Sequence, residues 1–151
     1  MKKLFFYWNS AFFILLLAAF PLSAEIRAEG QGLVWARGNG SIEIRGASTV
    51  DITGNGLLKV NKEAFCDLVE GTGEKLITGT DGILYINFDG RAKVSGEDIV
   101  LEFNGANIVL NARGTGVVTF KGAGIYVVGL SIGYWHPFEK TIITFTAPPE
   151  N

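Results

Sequence analysis

Glycine recurs along this chain at a nearly constant interval. Two series are spaced by eight or nine residues: Gly38, Gly46 and Gly54, then Gly96, Gly105, Gly114 and Gly122. Between them lie short runs in which apolar and polar residues alternate, as in Ile42-Glu43-Ile44-Arg45. Period-two alternation is typical of a strand with one buried face, and after residue 24 no window longer than a few residues shows a helical period with caps. The sequence therefore predicts an all-β fold.

The connectors between these runs indicate how the strands are joined. Asn55-Gly56, Asp89-Gly90 and Asn104-Gly105 stand between apolar runs, and such dipeptides favour two-residue hairpin turns. We therefore predict an antiparallel meander that forms a barrel or sandwich of about ten short strands. The strands are expected near 32–37, 40–45, 49–53, 57–61, 83–88, 91–95, 98–103, 107–112, 117–121 and 124–128, with a further strand near 141–146.

A parallel β-solenoid is the alternative architecture. In a solenoid Gly and Asn occupy the corners and each coil adds one rung, which would explain the constant glycine spacing. Residues 62–82 interrupt the rhythm in either architecture. They are expected to form a short helix over one end of the sheet or a long crossing loop.

The N-terminus has the three parts of a secretory signal. Lys2 and Lys3 precede an apolar segment, and Leu22-Ser23-Ala24 offers a small residue before the cut. We predict a helical signal peptide over 1–24, one β-domain over 25–147 and a tail over 148–151. An uncleaved membrane anchor is the alternative, because the charge-free run is long enough to span a bilayer. Both place the folded part outside the cytoplasm, in the periplasm, on the cell surface or in the medium.

Composition excludes several classes of function. The net charge is −2, and it becomes −4 without the first 24 residues, so nucleic acid is not an expected partner. One Cys excludes a disulfide framework and a Cys-based zinc site, and one His excludes any site that needs two. We expect Cys66 to be a buried thiol. Gly71-Thr72-Gly73-Glu74-Lys75 lacks the spacing of a phosphate-binding loop. No cofactor, metal site or catalytic set is predicted.

An aromatic cluster near the C-terminus is the most distinctive local feature. It comprises Tyr134, Trp135, His136 and Phe138. One interpretation is a platform that stacks on a sugar ring or grips a partner. The other is that Trp135 and Phe138 fill one end of the core.

The stretch from Gly96 to Val128 resembles exported prokaryotic Gly-punctuated β-repeat proteins of uncharacterised function. In these proteins short strands are separated by Gly-x-Gly and Asn-Gly turns, and the similarity covers most of residues 30–129. The resemblance implies export and an all-β fold. It implies no activity, ligand or catalytic residue.

These observations favour an exported non-enzymatic domain that acts in envelope structure, adhesion or protein interaction. A small carbohydrate-binding module is the alternative, and a carboxylate-dependent hydrolase is a third hypothesis. The expected partner is an envelope protein or a glycan, with the membrane contacted only through an uncleaved N-terminal segment. Self-association through an open strand edge is also expected, and the apolar segment Thr141–Thr146 is the predicted edge.

Overall fold

The computed structural model describes residues 24–78 and 82–149, which consist almost entirely of β-strands. In chain order these are β1 (Glu25–Gln31), β2 (Val34–Gly46), β3 (Thr49–Val60), β4 (Phe65–Thr78), β5 (Gly82–Ser95), β6 (Ile99–Arg113), β7 (Gly116–Val128), β8 (Ser131–Trp135) and β9 (Lys140–Thr146). The all-β prediction is confirmed. The predicted signal segment lies outside the described residues, apart from Ala24 at its end.

The strands form one sheet in which chain neighbours are mostly kept apart. The order is β1-β9-β7-β2-β6-β3-β5-β4, with β8 beside β7. β2, β3 and β4 run in one direction and alternate with β5, β6 and β7, which run in the other. The chain from β2 to β7 is therefore one long hairpin that is wound upon itself. Of the described strand pairs, only β1 and β9 are parallel.

The predicted meander is wrong, because a meander would place each strand beside its neighbour in the chain. Among the described strands only β4 with β5 and β7 with β8 are arranged in that way. The parallel solenoid is not observed either, since adjacent strands from β7 to β4 are antiparallel. Nor is the sheet closed into a barrel. The structure combines the antiparallel pairing of the first alternative with the coiling of the second.

The link between β2 and β3 shows how tightly the strands curl. Gly46, at the end of β2, lies opposite Ile99, whereas Thr49, at the start of β3, lies opposite Arg113. Three residues of chain reach at most about 11 Å, although a straight strand as long as β6 would span about 48 Å. Both ends of β6 therefore lie close together, and each long strand wraps around the core.

A row of glycines crosses six adjacent strands where they bend. Neighbouring strands place these glycines opposite one another, in the order Gly122 (β7), Gly40 (β2), Gly105 (β6), Gly54 and Gly56 (β3), Gly90 (β5) and Gly71 (β4). The backbones approach so closely that side chains do not fit. A Cβ at Gly40 would lie 2.1 Å from the carbonyl oxygen of Lys121, and one at Gly122 would lie 2.2 Å from that of Asn39. We call this row the glycine line.

The glycine line explains why the predicted hairpin turns are wrong. Asn55-Gly56, Asp89-Gly90 and Asn104-Gly105 lie inside β3, β5 and β6, where the strand bends without reversing. The interval of eight residues between glycines corresponds to half of one coil of the chain. Gly38 and Gly54 lie at the bends within strands, whereas Gly46 lies at the corner where the chain passes from β2 to β3.

One continuous core fills the coil. Its largest fully buried side chains are Trp135, Phe88, Phe103, Phe120, Phe145, Ile42, Ile44, Ile52, Leu58, Ile99, Leu101 and Ile108. Along β2 and β3 the buried residues are even-numbered both before and after the bend, so the same face of each strand is buried on both sides of the glycine line. Aromatic rings from different strands close the centre, as where Phe88 meets Phe103 edge-on with ring centroids 5.7 Å apart.

Residues 62–82 were expected to form a helix or a loop, but most of them form the edge strand β4. β4 is paired on one side with β5, and its pairing is interrupted by irregularities between Leu68 and Glu70 and between Thr72 and Glu74. Each irregularity shifts the alternation of faces, so the period-two pattern is lost in the sequence. Cys66 is half-buried on this strand, whereas a fully buried thiol was expected.

Candidate interaction surface

The four aromatic-cluster residues do not form one platform. Trp135 is only 1% exposed and belongs to the core. Its ring is stacked on that of Phe120, with centroids 4.4 Å apart and 9° between the planes. It also covers the bend of two neighbouring strands, since its Cζ2 atom occupies the space that a Cβ at Gly38 or Gly124 would need. Trp135 therefore contributes to stability and is almost wholly shielded from solvent.

The other three residues of the cluster lie at the surface. Tyr134 is 62% exposed on β8, Phe138 is 91% exposed in the following loop, and His136 is exposed between them. Alternation along β8 separates Tyr134 from Trp135, because successive side chains point to opposite faces of a strand. The core interpretation thus applies to Trp135, and the surface interpretation is available to Tyr134, His136 and Phe138.

Strand β8 itself was missed by the sequence prediction. It forms a hairpin with β7 in which Val128 pairs with Ser131, so the loop is Gly129-Leu130. Gly129 has φ of 56°, and Gly at the first central position is typical of a type II′ turn. A Gly-x dipeptide between two apolar runs was therefore the available signal.

The hairpin extends an apolar surface on the outside of the sheet. Trp35 on β2 lies opposite Val127 on β7, which lies opposite Ile132 on β8. In the adjacent row, Ile125 lies opposite Tyr134. Ile132 is 68% exposed, and Trp35, Ile125 and Val127 are half-buried. We call these five residues the β2–β7–β8 face.

Two protruding side chains flank this face. Leu130 is fully exposed at the turn before β8, and Phe138 projects from the loop after it. Large apolar side chains that are grouped and exposed mark interaction sites, because leaving them in water is unfavourable. A shallow groove of about 520 Å³ runs along the same region and is lined in part by Arg37, Tyr134 and His136.

A polar groove adjoins the face on the other side of Trp35. It has a volume of about 540 Å³, and its lining includes Asp51, Lys93, Asn111 and Arg113. Asn111 lies directly opposite Trp35. The Arg91 guanidinium, which donates a hydrogen bond of 2.8 Å from Nε to Asp51 Oδ1, holds the pKa of that carboxyl below its ordinary value of 3.8. Asp51 is therefore an ionised carboxylate in an ion pair with Arg91, and it does not have the raised pKa of a general acid.

The described residues do not gather ligands for a metal ion. Across residues 24–78 and 82–149 there is no group of three or more His, Cys, Asp or Glu side chains that could hold one. Over the same ranges no helix is long and apolar enough to cross a membrane.

Comparison of the chain with protein-family models, with curated proteins and with solved structures found no match.

Proposed function

We propose that the chain is exported and that its folded part is a non-enzymatic binding domain, which engages a protein partner in the cell envelope through the β2–β7–β8 face. The observation that carries the proposal is the exposure of Ile132, Tyr134, Leu130 and Phe138 within and beside that face. Interfaces are enriched in aromatic residues and depleted of charge at their centres. Ile132 and Tyr134 have this character, and they belong to a strand with no charged residue.

Export is supported by the sequence alone, through the basic, apolar and small-residue parts of segment 1–24. Its test is the N-terminus of the protein recovered from fractionated cells. A chain that begins at Glu25 in the periplasm, at the surface or in the medium supports export with cleavage. A chain that retains Met1 in the membrane fraction supports the anchor, and a chain that retains Met1 in the cytoplasm contradicts export.

Binding through the face can be tested by photo-crosslinking in the native host. A photoreactive phenylalanine analogue is placed at Tyr134, and in a matched variant at Leu57, an exposed apolar residue on β3 outside the face. A covalent adduct that forms from position 134 and is absent from position 57 supports the proposal. Equal labelling at both positions, or none at 134, contradicts it.

A glycan is the second candidate ligand because of one pair of residues. Trp35 and Asn111 are opposite each other on adjacent strands. An indole face can stack on the apolar face of a pyranose while an amide bonds its hydroxyl groups. Titration with envelope glycans should then change the emission of Trp35, and the change should be absent in Trp35→Phe. An emission that stays constant across the glycans would exclude this candidate.

A further inference from the structure

We infer that a second copy of the chain is a partner of the β2–β7–β8 face, and that two copies join by antiparallel pairing of their β8 strands about Gly133. This inference rests on the proposed function and names the occupant of the same surface. It corrects the edge that was expected from sequence. Thr141–Thr146 belong to β9, which lies between β1 and β7, so that segment is not an edge.

β8 presents backbone groups that the described strands leave open. Of those strands, only β7 pairs with β8. In a hairpin with a two-residue loop, the two residues that flank the loop form a hydrogen-bonded pair, and here these are Val128 and Ser131. Along the rest of the hairpin, non-hydrogen-bonded and hydrogen-bonded pairs alternate. Ser131, Gly133 and Trp135 therefore direct their backbone groups to β7. Ile132 and Tyr134 direct theirs to the open side.

The open side of β8 is complementary to itself. When Gly133 lies on a two-fold axis, Ile132 of each copy lies opposite Tyr134 of the second copy. These are the two residues whose backbone groups are directed outward, so both pairs are hydrogen-bonded pairs. Their side chains lie on the same outer face, and an aromatic residue opposite a β-branched one is a favourable cross-strand pair. A two-fold interface requires self-complementarity of this kind.

The same register joins the apolar faces of the two copies. The row Trp35, Val127 and Ile132 of one copy continues into Tyr134 and Ile125 of the second. In this register Leu130 lies opposite His136 of the other copy, where the turn over residues 136–139 begins. Leu130 of one copy and the turn that carries Phe138 of the other therefore lie at the same end of the paired strands.

The other edges are protected against such pairing, whereas β8 is not. β1 carries Glu25, Arg27 and Glu29, all exposed. β4 carries acidic side chains and two irregularities in its ladder. Charges and bulges are the usual means by which edge strands avoid association. β8 contains the uncharged sequence Ser-Ile-Gly-Tyr-Trp and pairs regularly with β7 along its whole length.

Sedimentation equilibrium of the protein purified after export tests the inference. We expect a monomer–dimer equilibrium with Kd of about 1–100 µM, as suits a small interface. Ile132→Lys should weaken the dimer about 100-fold, since each substitution occurs twice in the symmetric pair. Leu76→Lys, a matched change on the edge strand β4, should leave Kd unaltered. A dimer that dissociates on Leu76→Lys and persists in Ile132→Lys would overturn the assignment to β8.

A charge-complementary double variant tests the register. Ile132→Lys combined with Tyr134→Glu places opposite charges at facing positions twice. We expect the double variant to dimerise at least tenfold more tightly than Ile132→Lys alone. If the strands instead paired Ile132 with Ile132, like charges would meet and the double variant would stay monomeric, which contradicts the register. Circular dichroism of each variant confirms that it is folded.

The result is distinguishable from a failure of the proposed function. A wild-type protein that remains monomeric up to about 1 mM overturns the dimer. If the crosslinker at Tyr134 then captures a different protein, the binding function stands with another partner. If it captures neither a second copy nor another protein, both proposals are wrong.

Discussion

The rings of Phe120 and Tyr126, six residues apart on β7, are stacked with their centroids 6.2 Å apart and 8° between their planes. Six residues of a straight strand span about 20 Å. The contact therefore requires β7 to bend sharply between the two rings, and Gly122 and Gly124 lie in that interval. The other long strands bend in the same way at the glycine line, and these bends together wind the sheet around the core.

Replacing a glycine of the line should be costly because the neighbouring backbone occupies the space. Gly40 has φ of 132°, and its Cβ would lie 2.1 Å from the carbonyl oxygen of Lys121. We expect Gly40→Ala to lower the free energy of unfolding by about 3 kcal/mol, through both strain and overpacking. Gly32→Ala is the control, since Gly32 has φ of 92° and no atom within 4 Å of a Cβ. It should cost about 1 kcal/mol. Equal losses in urea unfolding would refute the steric role of the line.

The two tryptophans of the folded part should behave in opposite ways. Trp135→Ala removes a buried ring and should destabilise the fold by about 3–5 kcal/mol. Trp35→Ala, on the outer face, should cost about 1 kcal/mol or less. In the single-tryptophan variants, Trp135 should resist acrylamide quenching and Trp35 should be quenched readily. A readily quenched Trp135 would contradict its place in the core.

The ion pair between Asp51 and Arg91 predicts a pH dependence of stability. Since Arg91 lowers the pKa of Asp51 below 3.8, the pair stabilises the folded state above about pH 4, and this contribution is lost as the pH falls through the lower folded value. Asp51→Asn should therefore be less stable than the wild type at pH 7, and the difference should shrink below pH 4. The melting temperatures of both proteins over this range provide the test. A difference independent of pH would assign the effect to packing.

The thiol of Cys66 should react slowly with alkylating agents. Burial raises its pKa, while the Tyr85 hydroxyl, which donates to the thiolate, and Lys75 oppose this rise. Because the thiolate is the reactive form, Tyr85→Phe should raise the pKa further and slow alkylation at a fixed pH. Tyr134→Phe removes a hydroxyl on β8, which pairs with β7 and not with β4 or β5, and should leave the rate unchanged. An unchanged rate in Tyr85→Phe would show that the ring acts by packing alone, and a faster rate would contradict the effect of the hydroxyl on the pKa.

The β-structure was predictable because it depends on local pattern. Alternation in Ile42-Glu43-Ile44-Arg45 identified a half-buried strand, and the inward residues are those that the pattern selects. The positions of the bends were also visible in the sequence as glycines, but these glycines were interpreted as hairpin turns. An Asn-Gly dipeptide can reverse a strand or bend it, and what distinguishes the two is a glycine opposite it on the neighbouring strand. That neighbour is distant in the chain, as Gly105 is from Gly56.

The candidate surface was predicted only in part for the same reason. Tyr134, His136 and Phe138 were found from their composition and are exposed, whereas Trp135 was grouped with them and is buried. Trp35 was not selected, since nothing in the residues around it indicates that β7 and β8 bring Val127 and Ile132 into line with it.

The sequence by itself determined that the chain is made of strands, where those strands can bend, and which side chains of the alternating runs face inward, because period-two alternation and glycine act over a few residues. The tertiary structure decided the order of the strands, the winding of one long hairpin and the exposure of β8. Those depend on contacts between residues far apart in the chain, such as Gly40 with Gly122, and a backbone approach of that kind leaves no signature beyond the glycines themselves.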